Sequence, residues 1–269
     1  MIPNVLSIAG TDPSGGAGIH ADLKSFAACG AYGMAVITAV VSQTTTGVTG
    51  VHQMPAAVVT QQLDTLVGDV RVDAVKIGML GDAEVIAAVA KAVERWSLPA
   101  VVLDPVMVAK SGDPLLEDDA MWALRDLLLP QVDLVTPNVP EAARLLGVAP
   151  AVDLEEQMAQ AVALQETGVR RVLLKGGHLG GPFSTDVLVS DGEPALLTAE
   201  RVVTENDHGT GCTLSSAIAA LRPQRPDWTT AVRDAKSYLS GALAAADRLD
   251  VGHGHGPVHH FWALWPDTP

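Results

Sequence analysis

The segment His208-Gly-Thr-Gly-Cys-Thr213 holds the densest chemistry in the chain. Two glycines bracket a threonine, and an amphipathic helical pattern follows at once. A glycine turn that feeds a helix leaves several backbone N–H groups without helical partners, and the helix dipole adds partial positive charge there. Such a turn is an anion site. Gly209 and Gly211 let the backbone approach the anion with no Cβ in the way. Cys212 falls in the first turn, where a thiol pKa drops below its free value of about 8.5. The expectation is therefore an anion hole made by Gly209, Thr210 and Gly211 with a reactive thiol beside it. A capped helix with a small buried cysteine is the plainer alternative.

The same device recurs near the start. An apolar run over 5–9 leads into Gly10-Thr-Asp-Pro-Ser-Gly-Gly-Ala-Gly18 and then into a helical pattern. The loop lacks the G-x-x-x-x-G-K-[ST] phosphate signature and the dinucleotide G-x-G-x-x-G spacing. Further polar residues stand where other apolar runs end. Lys76 lies at the end of 74–77, Asp104 follows 100–103, Asn138 and Glu141 follow 134–136, and Lys175 follows 171–174. Each has a bland alternative: Asp104 and Asn138 as caps, Lys76 as a solvated loop residue. Together, an Asp, an Asn, a Glu and a Lys near a glycine-lined anion hole have the make-up of a phosphoryl-transfer site. Carboxylates hold Mg²⁺ with several waters retained, while lysine and backbone N–H groups neutralise the transferred group.

These residues need a frame. Strand patterns run over 5–9, 35–41, 74–77, 100–103, 134–136, 171–174 and 186–189. Helical patterns run over 16–28, 56–67, 83–95, 117–128, 141–146, 154–166, 212–221 and 228–248. Their alternation predicts an α/β fold, a mostly parallel sheet with helices on both faces, and a ligand edge at the carboxyl ends of the strands. After Gly180 the alternation stops, and 187–189, Asp191-Gly192 and 195–198 read as a hairpin. No linker or repeat divides the 269 residues, so one domain over 1–269 is expected.

Apolar residues make up 48% and aromatics 4%, which suits Ala-rich helices over a Val/Leu/Ile sheet. No apolar run reaches a membrane span, and no basic stretch precedes an apolar run at the N-terminus. Cys29 and Cys212 are too few for a disulfide framework, which points to a reduced cytoplasmic protein. The net charge of −14 disfavours nucleic acid and anionic membrane as partners. With six lysines in the chain, an anionic substrate would need local cations. The tail Val251-Gly-His-Gly-His-Gly-Pro-Val-His-His260 is histidine-rich but too sparse for a closed tetrahedral metal site.

With these residues assembled, the chain resembles the ribokinase-like superfamily. Within it, the chain is similar to the hydroxymethylpyrimidine/phosphomethylpyrimidine kinases of thiamine biosynthesis. The resemblance spans almost the whole sequence and rests on the segments above together with Ala21-Asp-Leu-Lys24, Gly30-Ala-Tyr-Gly33, Lys76-Ile-Gly-Met79 and Leu103-Asp-Pro-Val-Met107. It implies a ribokinase-like three-layer sandwich and a homodimer. It implies ATP- and Mg²⁺-dependent phosphorylation of a pyrimidine hydroxymethyl group, then of the monophosphate. Gln43 matches the position that pairs with the pyrimidine edge, and Gly10, Asp22, Met79 and Val106 match the pocket around the ring. Asp104 and Glu141 match Mg²⁺/phosphate positions, with Asn138 beside them. Lys175 and Lys236 match lysines near the nucleotide phosphates, and Gly209 to Cys212 match the anion hole and catalytic position. Thr11, His20 and Asp207 depart from the common Ser, Gln and Thr. A carboxylate at Asp207 would disfavour phosphate or help hold Mg²⁺; otherwise it is a turn residue. A pyridoxine/pyridoxal kinase is the runner-up, and a non-catalytic ligand sensor on the same fold is the alternative of another class.

Overall fold

In the computed structural model, residues 1–107 and 120–265 are described. The chain alternates strand and helix as its patterning requires. The elements are β1 (Asn4–Ala9), α1 (Gly18–Ala28), β2 (Tyr32–Ile37), β3 (Ala39–Thr44), β4 (Gly47–Gln53), α2 (Ala56–Val67), β5 (Ala74–Ile77), α3 (Ala83–Trp96) and β6 (Val101–Leu103). They continue with α4 (Met121–Ala123), β7 (Leu134–Val135), α5 (Val139–Leu146), α6 (Leu154–Glu166), β8 (Val172–Leu174), β9 (Phe183–Val189), β10 (Ala195–Glu200), α7 (Thr210–Leu221) and α8 (Trp228–Ala244). After α4 the coil widens into a π-helical stretch, Leu124–Leu128, and tightens into a 3-10 turn, Leu129–Gln131. The helix expected over 117–128 begins outside the described residues.

Eight strands form one sheet in the order β10-β9-β8-β7-β6-β5-β1-β2. From β2 to β8 every pairing is parallel; β9 and β10 join antiparallel at one edge. The hairpin expected after Gly180 is this edge. The central strands are buried on both faces, which explains their continuous apolar sequence. One core layer joins the sheet to α2, α3, α5 and α6 through Leu63, Ile86, Leu145 and Leu164. The other joins it to α1, α7 and α8 through Phe26, Leu214, Ile218 and Val232. This is the expected three-layer sandwich.

The strand expected over 35–41 is two strands in different sheets. Thr38 marks the break: its hydroxyl donates to the Met79 carbonyl, and its N–H to that of Ala9. Beyond it, β3 leaves the main sheet and pairs with β4 as a separate two-stranded sheet. Ser42 opposes Gly50 and Gln43 opposes Val48, so Thr49 is an extra residue in β4. The little sheet stands over the carboxyl end of β1, tied there by hydrogen bonds from Thr11 N–H to the Ala39 carbonyl and from Val41 N–H to the Thr11 hydroxyl.

Candidate active site

The carboxyl ends of β1, β5, β6, β7 and β8 open into a cavity of about 820 Å³, and both glycine loops reach it. Its lining takes in Cys212, Gly209, Thr210, Gly211, Asp104, Glu141, Asn138, Lys175, Lys236, Gln43, Gly10, Met79 and Val106. Of the residues assigned a site role in the sequence, Asp22 alone is not in its lining.

The turn expected to form an anion hole interlocks with the first glycine loop. Gly209 caps α7 with φ +76°, and a Cβ there would lie 1.7 Å from the Gly16 carbonyl oxygen. Glycine is thus required both for the positive φ and for the close approach. The Thr210 hydroxyl donates to the Asp207 carbonyl at 2.6 Å, closing the turn before the helix. Asp207 belongs to this turn through its backbone, while its carboxylate lines the cavity with His255 Nδ1 at 3.4 Å. The Gly18 backbone N–H lies near the Cys212 sulfur and favours its thiolate.

The expected drop in the Cys212 pKa does not occur. Desolvation pushes the thiol up to about 11, against the lowering effect of the nearby Lys76 ammonium. The helix terminus and one cation do not offset the loss of water around a buried sulfur.

A second correction concerns Asp22 and Lys76. Neither is exposed: the Lys76 ammonium lies 2.8 and 2.9 Å from the two Asp22 carboxylate oxygens. Ser7 and Ser216 donate to the same carboxylate at 2.6 and 2.7 Å. Burial alone would lower the Lys76 ammonium, but Asp22 and the other nearby acidic groups raise it above its ordinary value. Lys76 is a fixed positive charge at the cavity floor, and Asp22 holds it from behind.

Asp104, Glu141 and Lys175 form the acidic-basic centre. Lys175 Nζ donates to Asp104 Oδ1 at 2.8 Å and lies 4.0 Å from Glu141 Oε2. Burial would lower the Lys175 ammonium, yet attraction to Asp104 and Glu141 raises it. Burial pushes the Glu141 carboxyl up to about 7, opposed by Lys175 and reinforced by Asp104. Asn138 and Glu141 form a reciprocal capping box on α5, with N–H to oxygen distances of 2.8 and 2.7 Å. Capping and lining the cavity are thus the same arrangement, because the cap fixes the Glu141 carboxylate. Asp104 Oδ2 is buried and accepts no hydrogen bond among the described residues. An orphaned carboxylate oxygen beside a second carboxylate suits a hard cation. Among the described residues no three His, Cys, Asp or Glu side chains could hold a metal alone. That fits Mg²⁺, which uses one or two carboxylates together with water and substrate phosphates.

Lys236 Nζ meets Asp186 Oδ2 at 2.7 Å, and Asp186 Oδ1 accepts from Gly176 N–H at 2.9 Å. Asp186 thereby ties α8 to the turn that carries Lys175. Nothing in the local pattern marks Asp186, which sits at the start of an apolar run. Gln43 faces an apolar wall of Val41, Met79 and Val106. A buried aspartate of the first glycine loop, Asp12, was likewise missed as a site residue; it pairs with His208 at 2.7 Å.

Comparison with known proteins now decides the family. The phosphomethylpyrimidine kinase family matches residues 12–259. The chain belongs to this family. It is 54% identical over 262 residues to the hydroxymethylpyrimidine/phosphomethylpyrimidine kinase of Escherichia coli strain K12, covering 97% of this chain and 98% of that one. Its fold is similar to Bacillus subtilis pyridoxal kinase in an ADP complex, with TM-score 0.89, 32% identity, and 97% and 98% of the two chains covered. It is also similar to phosphomethylpyrimidine kinase from Clostridium difficile 630, with TM-score 0.79, 36% identity, and 90% and 99% covered. No helix among the described residues is long and apolar enough to cross a membrane.

Proposed function

We propose that this protein phosphorylates hydroxymethylpyrimidine and then its monophosphate, using ATP and Mg²⁺, and so supplies the pyrimidine diphosphate for thiamine biosynthesis. The observation that carries the proposal is the convergence on one cavity of a helix-terminal anion hole, the Asp104–Lys175–Glu141 cluster and the Gln43 amide against an apolar wall. The main sheet, the separate β3–β4 sheet and the start of α7 all contribute to one cavity, so the chain acts as a single kinase domain over 1–269.

The substrate ring lies against Val41, Met79 and Val106, and Gln43 pairs with its polar edge. The hydroxymethyl oxygen attacks the γ-phosphorus; the new P–O bond forms as the bond to the β-phosphate oxygen breaks, ADP leaves, and the hydroxyl proton passes to an oxygen of the transferred phosphoryl group or to a Cys212 thiolate. Charge on the transferred group falls on the N–H groups of Gly209 to Cys212 and on the Lys175 ammonium. Asp104 and Glu141 would hold Mg²⁺, which would supply positive charge to neutralise the nucleotide phosphates. Phosphoryl transfer passes through a loose transition state, so positioning and electrostatics matter more than a strong base. A thiol near 11 is compatible with that chemistry. As a proton acceptor Cys212 must first lose its own proton, and Lys76 is the cation placed to favour this.

The second phosphorylation brings a dianion into a protein of net charge −14. Lys76, Lys175 and Lys236 supply local positive charge in the cavity, although each is already paired with a carboxylate. The pyridoxal kinase alternative draws on the structural likeness above, at 32% identity, and the 54% identity to a hydroxymethylpyrimidine/phosphomethylpyrimidine kinase favours the pyrimidine. A homodimer belongs to this proposal through the family resemblance, and a cytoplasmic location through the two unpaired cysteines, Cys29 and Cys212. An ADP-release assay with hydroxymethylpyrimidine, its monophosphate and pyridoxine side by side tests the substrate. Release with the first two supports the proposal, release with pyridoxine alone supports the alternative, and no release with any of them supports a sensor.

A further inference from the structure

We infer that the Asp12–His208 pair is a specificity-determining unit that fixes which end of the Gln43 carboxamide faces the substrate. The inference rests on the kinase proposal for its substrate, but its geometric part stands alone.

His208 opens the turn before α7 and is buried. Its ring edge rests against Gly16, where a Cβ would lie 2.3 Å from His208 Cδ2. The backbone around it is pinned as well, since His208 N–H donates to the Gly256 carbonyl at 3.0 Å. The ring therefore has one place to sit. In that place Nε2 lies 2.7 Å from Asp12 Oδ2 and 3.4 Å from the Gln43 amide nitrogen.

Asp12 settles the proton. Its carboxylate accepts from Ser14 N–H at 2.9 Å, from the Ser14 hydroxyl at 2.7 Å and from Ala17 N–H at 2.8 Å. Burial would raise its pKa, but these hydrogen bonds and His208 bring it below the usual carboxylate range. A carboxylate only accepts, so at 2.7 Å the His208 Nε2 must carry the hydrogen. This holds whether the imidazole is neutral or cationic. An Nε2–H cannot accept from Gln43. Its one hydrogen goes to Asp12, so the Gln43 carbonyl oxygen turned to His208 would take a bifurcated share of it, whereas the Gln43 NH₂ would find no acceptor at that nitrogen. Amide oxygen and nitrogen are placed by such networks rather than by shape.

Gln43 then presents its NH₂ to the cavity as the fixed polar group, with its carbonyl oxygen anchored at His208. The group it selects is a hydrogen-bond acceptor on the ring, a pyrimidine nitrogen, lying against the Met79–Val106 wall. A freely rotating amide would accept donor and acceptor edges alike, and the buried pair removes that tolerance. His208 lies against Gln43 and Asp12 acts through His208, so both are positioning residues.

Two measurements test this. In the ligand-free protein with ¹⁵N-labelled histidine, long-range proton–nitrogen correlation reads the His208 ring, assigned by its loss in His208→Gln. A proton on Nε2 is expected; a neutral ring bare at Nε2 overturns the inference, whatever the substrate proves to be. The second measurement is a double-mutant cycle on the KM for hydroxymethylpyrimidine. Asp12→Asn and His208→Phe should each raise it about tenfold, the scale of a misaligned buried hydrogen bond, with the KM for ATP unchanged. In a Gln43→Leu background both effects should vanish, because the group they orient is gone. Undiminished effects in that background, or equal rises in both KM values, overturn the inference. If a pair variant does not fold, the nitrogen correlation on the wild-type protein still decides.

Discussion

Cys212 shows how far residue type and neighbourhood can disagree. A helix N-terminus favours a thiolate, but the desolvated sulfur is held near 11. Below that value the thiolate fraction grows tenfold per pH unit, so alkylation by iodoacetamide should keep rising from pH 7 to about pH 10. A thiol of ordinary pKa would level off above about pH 9. Cys29 is pushed up to about 12 by burial, so the rate should be read on the Cys212 peptide by mass spectrometry. Turnover of Cys212→Ala should fall by about 10²-fold or more, with the folded state retained. Turnover within about threefold of wild type would remove Cys212 from the mechanism. The residue types around this sulfur were legible in the sequence, while its desolvation was not. Burial depends on what α1, β5 and α7 bring together, and no local pattern records that.

At the scale of elements, the alternation of strand and helix was legible because each parallel strand is buried on both faces and reads as an apolar run. The error at 35–41 has the same origin. β2 and β3 are both apolar at alternate positions, so nothing in their composition shows that Thr38 passes the chain from one sheet to another. β4 was missed because Gly47, Thr49, Gly50 and His52 give it a polar, glycine-rich composition. Long-range pairs were illegible altogether: Asp22 and Lys76 are 54 positions apart, Asp12 and His208 are 196 apart. The Asp22–Lys76 pair ties α1 to β5. Replacing Asp22 by Ala would leave a fully buried ammonium uncompensated, at a cost of about 3–5 kcal/mol. The double change Asp22→Leu with Lys76→Met should cost less than the single one. Urea midpoints would show it, and equal losses in single and double variants would refute a dominant charge effect. Gly209→Ala meets both a left-handed backbone and the Gly16 carbonyl. It should cost about 2–3 kcal/mol in the same assay and reduce turnover more than it raises either KM.

For the whole molecule, the central fact is an acidic protein handling anions. The net charge of −14 repels ATP and a phosphomonoester at a distance, and the paired lysines and helix-terminal N–H groups must reverse the field inside one cavity. The sequence could give the total charge and name the lysines. It could not say that Lys76, Lys175 and Lys236 all reach one cavity, each with its own carboxylate. A site of this kind must take a neutral alcohol first and its phosphate next, and that succession is the central claim. Phosphorus NMR of the reaction with excess MgATP and hydroxymethylpyrimidine tests it most directly. The account predicts that a monophosphate resonance appears, decays and gives way to the two coupled resonances of a diphosphate. A reaction that stops at the monophosphate would contradict it.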